Sequence, residues 1–89
     1  MFPKASPKIV FREEGDDALL FNPDTGQVKV LNQTGKVIWS NLTGRNNQDF
    51  LVRKIMEAFD ISDEQKVRED LEKFILELEK LNFLEKDES

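Results

Sequence analysis

Apolar residues recur along this 89-residue chain with two different spacings. The change from one to the other falls inside the segment Val28-Lys29-Val30-Leu31-Asn32-Gln33-Thr34-Gly35-Lys36-Val37-Ile38-Trp39. Alternation at every second residue marks a strand with two unlike faces, whereas spacing of three and four marks one side of a helix. The segment therefore predicts a short strand that feeds directly into a helix. At the end of a sheet, such a strand keeps backbone donors and acceptors along one edge, where an extended peptide can add itself as a further strand.

Two strands are expected before it. Lys8-Ile9-Val10-Phe11-Arg12 is rich in β-branched and aromatic residues and is closed by the polar run Glu13-Glu14-Gly15-Asp16-Asp17. Ala18-Leu19-Leu20-Phe21-Asn22 is almost continuously apolar, as a strand covered on both faces is. Pro23-Asp24-Thr25-Gly26 supplies a turn: proline presets one φ, aspartate bonds locally, and glycine takes the left-handed position that closes a hairpin with a bulge. Val28 and Val30 then alternate with Gln27, Lys29 and Leu31. The three strands predict an antiparallel meander whose last strand holds the free edge.

The helical spacing that follows divides into three. Asn32 suits an N-cap, with Thr34 as the alternative start, and Val37, Ile38 and Leu42 with Trp39 give the first helix an apolar face that runs to Gly44. A second helix begins after Asn46 or Asn47 and aligns Leu51, Ile55 and Phe59, with Phe50, Val52 and Met56 widening the stripe. Ser62-Asp63-Glu64-Gln65 places serine and glutamine at capping-box spacing. From there Val67, Leu71, Phe74, Leu78 and Leu81 mark the core face of a third helix to about residue 82, after which Phe83 and Leu84 fold back onto the core. The expected fold class is α+β, a three-stranded antiparallel β-meander followed by a three-helix bundle, winged-helix-like. Residues 1–7 form an extended segment, residues 8–84 a single domain and residues 85–89 a frayed acidic tail.

Composition narrows the chemistry. Cysteine and histidine are absent, which removes disulfides, thiolate nucleophiles, imidazole bases and the common ligands of zinc, copper and iron. The adjacent carboxylates Glu13–Glu14, Asp16–Asp17, Asp63–Glu64 and Glu69–Asp70 fall in turns or on a polar helix face, where nothing separates their pKa values into an acid and a base. Neither a calcium loop nor a glycine-rich phosphate loop occurs. The chain is therefore expected to be no enzyme and to hold no cofactor or metal. No run of residues reaches the length of a membrane span, and residues 1–7 lack the apolar run of a signal peptide, so the expected place is the cytoplasm.

Charge bears on partners. The formal net charge is −5; residues 1–56 hold eight basic against six acidic residues, and residues 57–89 hold five against twelve. Residues 63–81 alone carry seven acids against four bases, the wrong sign for a helix entering a groove of DNA. A winged-helix DNA-binding regulator is thereby disfavoured. Trp39 is expected in the core, whereas Leu76 points away from the face that Leu71, Phe74 and Leu78 define. A weak homodimer through the free strand edge or Leu76 is a third reading.

The ordered set of these residues resembles the PqqD family, small proteins of pyrroloquinoline quinone biosynthesis whose fold recurs as the recognition element for ribosomally made peptides that are later modified. Asn22-Pro23 and Gly26 resemble the family's hairpin, and Leu31-Asn32, Gly35 and Ile38-Trp39 its strand-to-helix junction. Gly44-Arg45 resembles the turn after the first helix; Val67, Asp70-Leu71, Phe74-Ile75, Leu78 and Phe83-Leu84 resemble the last helix and terminal apolar pair. The chain departs from the pattern at Leu42-Thr43, Asn47 and Asn82. The resemblance implies a non-catalytic module, a peptide chaperone. It would bind the leader of a precursor peptide and present it to a radical SAM or other peptide-modifying enzyme, with no nucleic acid or membrane as partner. It further implies that the leader adds beside the third strand, in the groove shared with the last helix. The residues expected there are Gln27, Val28, Lys29, Val30 and Leu31 from the strand and Arg68, Leu71, Glu72 and Ile75 from the helix, with Lys29 as an edge contact whose replacement by proline removes a strand donor.

Overall fold

The second hairpin fixes the register of the sheet. In the computed structural model, which describes residues 2–85, Gly26 lies at φ 78 and donates its N–H to the Asn22 carbonyl at 2.8 Å. Asn22 in turn donates its own N–H to the Gln27 carbonyl at 2.9 Å. This is a bulge closed by a left-handed glycine, the geometry the turn sequence predicts. It sets strand β2 (Asp17–Phe21) against β3 (Val28–Leu31) with Phe21 opposite Val28 and Leu19 opposite Val30. A tight turn at Gly15, φ 63, sets β1 (Val10–Glu14) antiparallel on the other side of β2, in the order β1-β2-β3. The first strand thus starts later than its apolar composition suggests. Lys8 and Ile9 belong to a turn in which the Ile9 N–H donates to the Ser6 carbonyl, and Glu13 and Glu14 pair within the sheet.

Three helices follow: α1 (Gln33–Ser40), α2 (Gln48–Phe59) and α3 (Glu64–Lys80). Asn32 caps α1 by accepting the Gly35 N–H at 2.8 Å, and Asn47 caps α2 through the Phe50 N–H at 2.8 Å. α1 stops well before Gly44. The Asn41 side chain bonds back to the Val37 carbonyl, and Leu42 turns into the core, its carbonyl accepting the Ala5 N–H. The cap of α3 is Asp63 rather than Ser62, because the carboxylate, the stronger acceptor, takes the Lys66 N–H. Asn82 closes the C-terminal end at φ 62, the left-handed conformation that asparagine tolerates.

The core lies between the inner face of the sheet and the helices. Ala18, Leu20 and Leu31 meet Ile38, Leu51, Val52, Ile55, Val67, Leu71 and Leu78, with Phe83 and Leu84 closing one end. Trp39 packs partly buried against this cluster, while Leu76 is 55% exposed. The N-terminal segment is woven into the fold: Lys4 bridges to Thr43 and Ala5 to Leu84, and the Glu85 N–H donates to the Lys4 carbonyl at 2.8 Å. The tail expected to fray lies, beyond Glu85, outside the described residues. Among the described residues no helix is long and apolar enough to cross a membrane.

Candidate functional site

Strand β3 ends the sheet, and its backbone faces alternate. In an antiparallel ladder, residues that exchange hydrogen bonds with the partner strand alternate with residues whose N–H and C=O point away from it. Asn22 and Gln27 are bonded across the hairpin, so Leu20 with Lys29 and Ala18 with Leu31 are the bonded pairs that follow. Val28 and Val30 therefore direct their N–H and C=O groups outward. Among the described residues nothing outside the sheet accepts from either of them.

Side chains alternate in the perpendicular sense. Lys29 and Leu31 share the inner face with Leu20 and Ala18, whereas Val28 and Val30 stand on the outer face, 54% and 62% exposed. The expectation that Val30 lines a groove with Leu31 is thereby corrected, because adjacent residues of a strand point to opposite faces. Leu31 itself is sealed in the core, so it supports the groove from below. Gln27 is exposed at the hairpin end, its N–H held by the Thr25 hydroxyl.

Helix α3 faces this edge with one flank, formed by Asp70, Phe74 and Glu77. Lys29 reaches across from β3: its Nζ donates to Glu77 Oε1 at 2.6 Å and lies 5.4 Å from the centre of the Phe74 ring. The lysine side chain is only 13% exposed, against 56% for Glu77. One end further along, Asn32, Thr34, Gly35 and Ile38 face Val67, Asp70 and Phe74 across an apolar cavity of about 290 Å³. Lys29 to Asn32 is three strand residues and Glu77 to Asp70 is seven helical ones, and both steps cover about 10 Å. The helix therefore runs antiparallel to the strand edge, and the two form the walls of one groove.

The other flank of α3 looks elsewhere. Arg68 donates to Asp49 on α2 at 2.7 Å and to Glu64 at 3.1 Å, and Glu72 accepts from Gln48 on α2 at 3.1 Å. Those two carboxylates, Asp49 foremost, hold the Arg68 guanidinium above its usual pKa. Ile75 and Leu71 border a separate apolar hollow, about 530 Å³, whose far wall is Phe2, Pro3 and Leu51. Arg68, Glu72 and Ile75 are thus not brought beside β3, because α2 occupies that side of the helix. Leu71 alone reaches both hollows, from the floor. The sequence reading missed Asn32, Phe74, Glu77 and Asp70 as groove residues. The polar–aromatic–polar spacing Asp70, Phe74, Glu77 was the available signal, since the three lie within one 60° arc of the helix at 100° per residue.

The fold and the groove define a class: small α+β modules built around a strand edge left open beside a helix flank. The chain belongs to the PqqD family, whose model, described as coenzyme PQQ synthesis protein D, matches residues 17–84. Among solved structures, TbiB1 in complex with the TbiA(beta) leader peptide superposes with a TM-score of 0.79 at 27% sequence identity. That likeness covers 97% of this chain and 99% of the other. Compared with the curated proteins, the chain matches none.

Proposed function

We propose that this protein is a peptide-binding module that takes the leader of a ribosomally made precursor peptide and presents it to a modifying enzyme, a radical SAM enzyme or another. The observation that carries the reading is the pair of outward-facing residues Val28 and Val30 opposite the Asp70–Phe74–Glu77 flank. Family membership supports it, as does the likeness to TbiB1, a protein solved with a leader peptide bound. The leader enters as a fourth strand beside β3, and residues 8–84 constitute the recognition domain. Precursors are made on the ribosome, so the module works in the cytoplasm. The protein supplies position, and the enzyme supplies the chemistry.

The energetics favour strand and groove acting together. Val28 and Val30 provide two donors and two acceptors, and four backbone hydrogen bonds at about 1 kcal/mol net each fall short of the about 8 kcal/mol of a micromolar complex. At about 25 cal/mol per Å², the missing half corresponds to about 160 Å² of buried apolar surface before association costs are met. One or two apolar leader side chains against Phe74 and the cavity by Gly35 supply that area.

The test is a titration of isotope-labelled protein with the leader segment of the precursor encoded beside its gene. Amide shifts are expected at Gln27 to Leu31 and Asp70 to Glu77, with micromolar or tighter affinity. Shifts confined to α1 and α2 would overturn the placement, and no binding would overturn the function.

A further inference from the structure

We infer that the strand this groove accepts carries a lysine or arginine opposite Lys29 and an apolar residue two positions away; the inference rests on the peptide-binding reading above. Residues of an added strand that bond to Val28 and Val30 turn their side chains to the outer face of the sheet. Those opposite Lys29 and Leu31 turn theirs toward α3. These two positions are two residues apart, and the structure gives them different surroundings. The one opposite Leu31 meets Phe74 and the apolar cavity lined by Gly35 and Ile38. The one opposite Lys29 meets the Lys29–Glu77 pair.

The sign of that pair as seen by an incoming side chain follows from its burial. Lys29 lies beneath, its stem on the core and its ammonium against Glu77 Oε1 and the Phe74 ring. Glu77 lies on top, more than half exposed, and Oε2 accepts no hydrogen bond among the described residues. A cation completes a ladder of Lys29, Glu77 and itself, with one carboxylate oxygen for each. A carboxylate in the same place stands against Glu77, the more exposed of the two charges, and reaches only the spare N–H donors of a lysine whose side chain is 13% exposed. Asp70, one wall residue further, keeps its own lysine, Lys66, at 2.9 Å, and that bond raises the Lys66 pKa above its usual value. Each carboxylate of this wall keeps one oxygen without a partner among the described residues, and Glu77 is the one beside the position opposite Lys29. The chain's net charge of −5 adds a long-range field of the same preference.

The experiment is selection of peptides from a random 12-residue phage library on the immobilised full chain, in parallel with its Glu77→Gln and Glu77→Lys variants. Circular dichroism checks that each variant is folded. The wild type is expected to enrich peptides with Lys or Arg two positions from Leu, Ile, Val or Phe. A synthetic copy of an enriched peptide should lose about two- to fivefold in affinity when its cation becomes alanine, an effect that shrinks to nearly none on Glu77→Gln. Glu77→Lys should enrich Asp or Glu at that position instead. Enrichment without a cation, or a cation effect that Glu77→Gln leaves unchanged, overturns this inference and leaves peptide binding standing. Selection of no peptide that shifts the Val28 and Val30 amides removes both.

Discussion

The side-chain amide of Asn22 donates to the main-chain carbonyl of Asn82 at 3.1 Å, tying the β2–β3 hairpin to the end of α3 across 60 residues of chain. Asn22 is 5% exposed, and its Oδ1 also accepts the Asp24 N–H at 2.9 Å, so one side chain holds the turn and the helix end together. The groove walls are the strand and the helix that this residue joins.

Replacing Asn22 with alanine leaves the Asn82 carbonyl and the Asp24 N–H without their partner. A loss of about 1–3 kcal/mol is expected, seen in urea unfolding and as a fall of about 5–15 °C in Tm. Asn82→Gly keeps the carbonyl and relieves the positive φ, so its stability should match or slightly exceed the wild type.

Amide hydrogen exchange distinguishes the two backbone directions of β3 without any ligand. The Val28 and Val30 N–H groups are expected to exchange quickly, whereas those of Lys29 and Leu31, bonded to β2, stay protected. The reverse pattern would place the open edge on the wrong residues.

The same alternation corrects the expected effect of Lys29→Pro. Lys29 donates to β2, so proline there breaks the ladder and costs stability in the free protein. Val30→Pro removes an outward N–H instead. It should unfold near the wild-type temperature yet bind a leader about fivefold or more weakly, read by calorimetry.

Substitutions on the two flanks of α3 should separate cleanly. Phe74→Leu is expected to weaken leader binding about three- to tenfold with little change in stability, because a ring against the groove is lost and the volume nearly kept. Arg68→Ala and Glu72→Ala should leave binding unchanged, and because their contacts to α2 lie at the surface the unfolding midpoint should move little.

Gly35→Ala tests how tightly the strand-to-helix junction is packed. An added Cβ meets Leu31 Cδ2 at 3.2 Å and Leu31 Cβ at 3.3 Å, and Leu31 is 1% exposed with no room to retreat. Alanine's helix preference, about 1 kcal/mol over glycine, is therefore expected to be outweighed, giving a net fall in Tm.

The sequence by itself determined the order of elements, the bulged hairpin at Gly26 and the core stripe Val67, Leu71 and Leu78, and it narrowed the first two helix caps to Asn32 or Thr34 and to Asn46 or Asn47. Each of these depends on contacts within a few residues of chain: a left-handed glycine, a side-chain oxygen three residues from an amide, a repeat of three and four. The helix ends at Ser40 and Asp63 were less legible, because Asn41 and Asp63 competed with equally plausible neighbours. What tertiary structure alone decided is which flank of α3 faces β3. A helical stripe has two margins that look alike in sequence, Arg68–Glu72–Ile75 on one side and Asp70–Phe74–Glu77 on the other. The packing of α2 against the first leaves the second to form the groove. Likewise, two-residue alternation separates Val28 and Val30 from Lys29 and Leu31 without saying which pair faces inward. Pairing with Leu20 and Ala18, themselves buried against the helices, settled that and sent the apolar valines to the surface and the lysine toward Glu77.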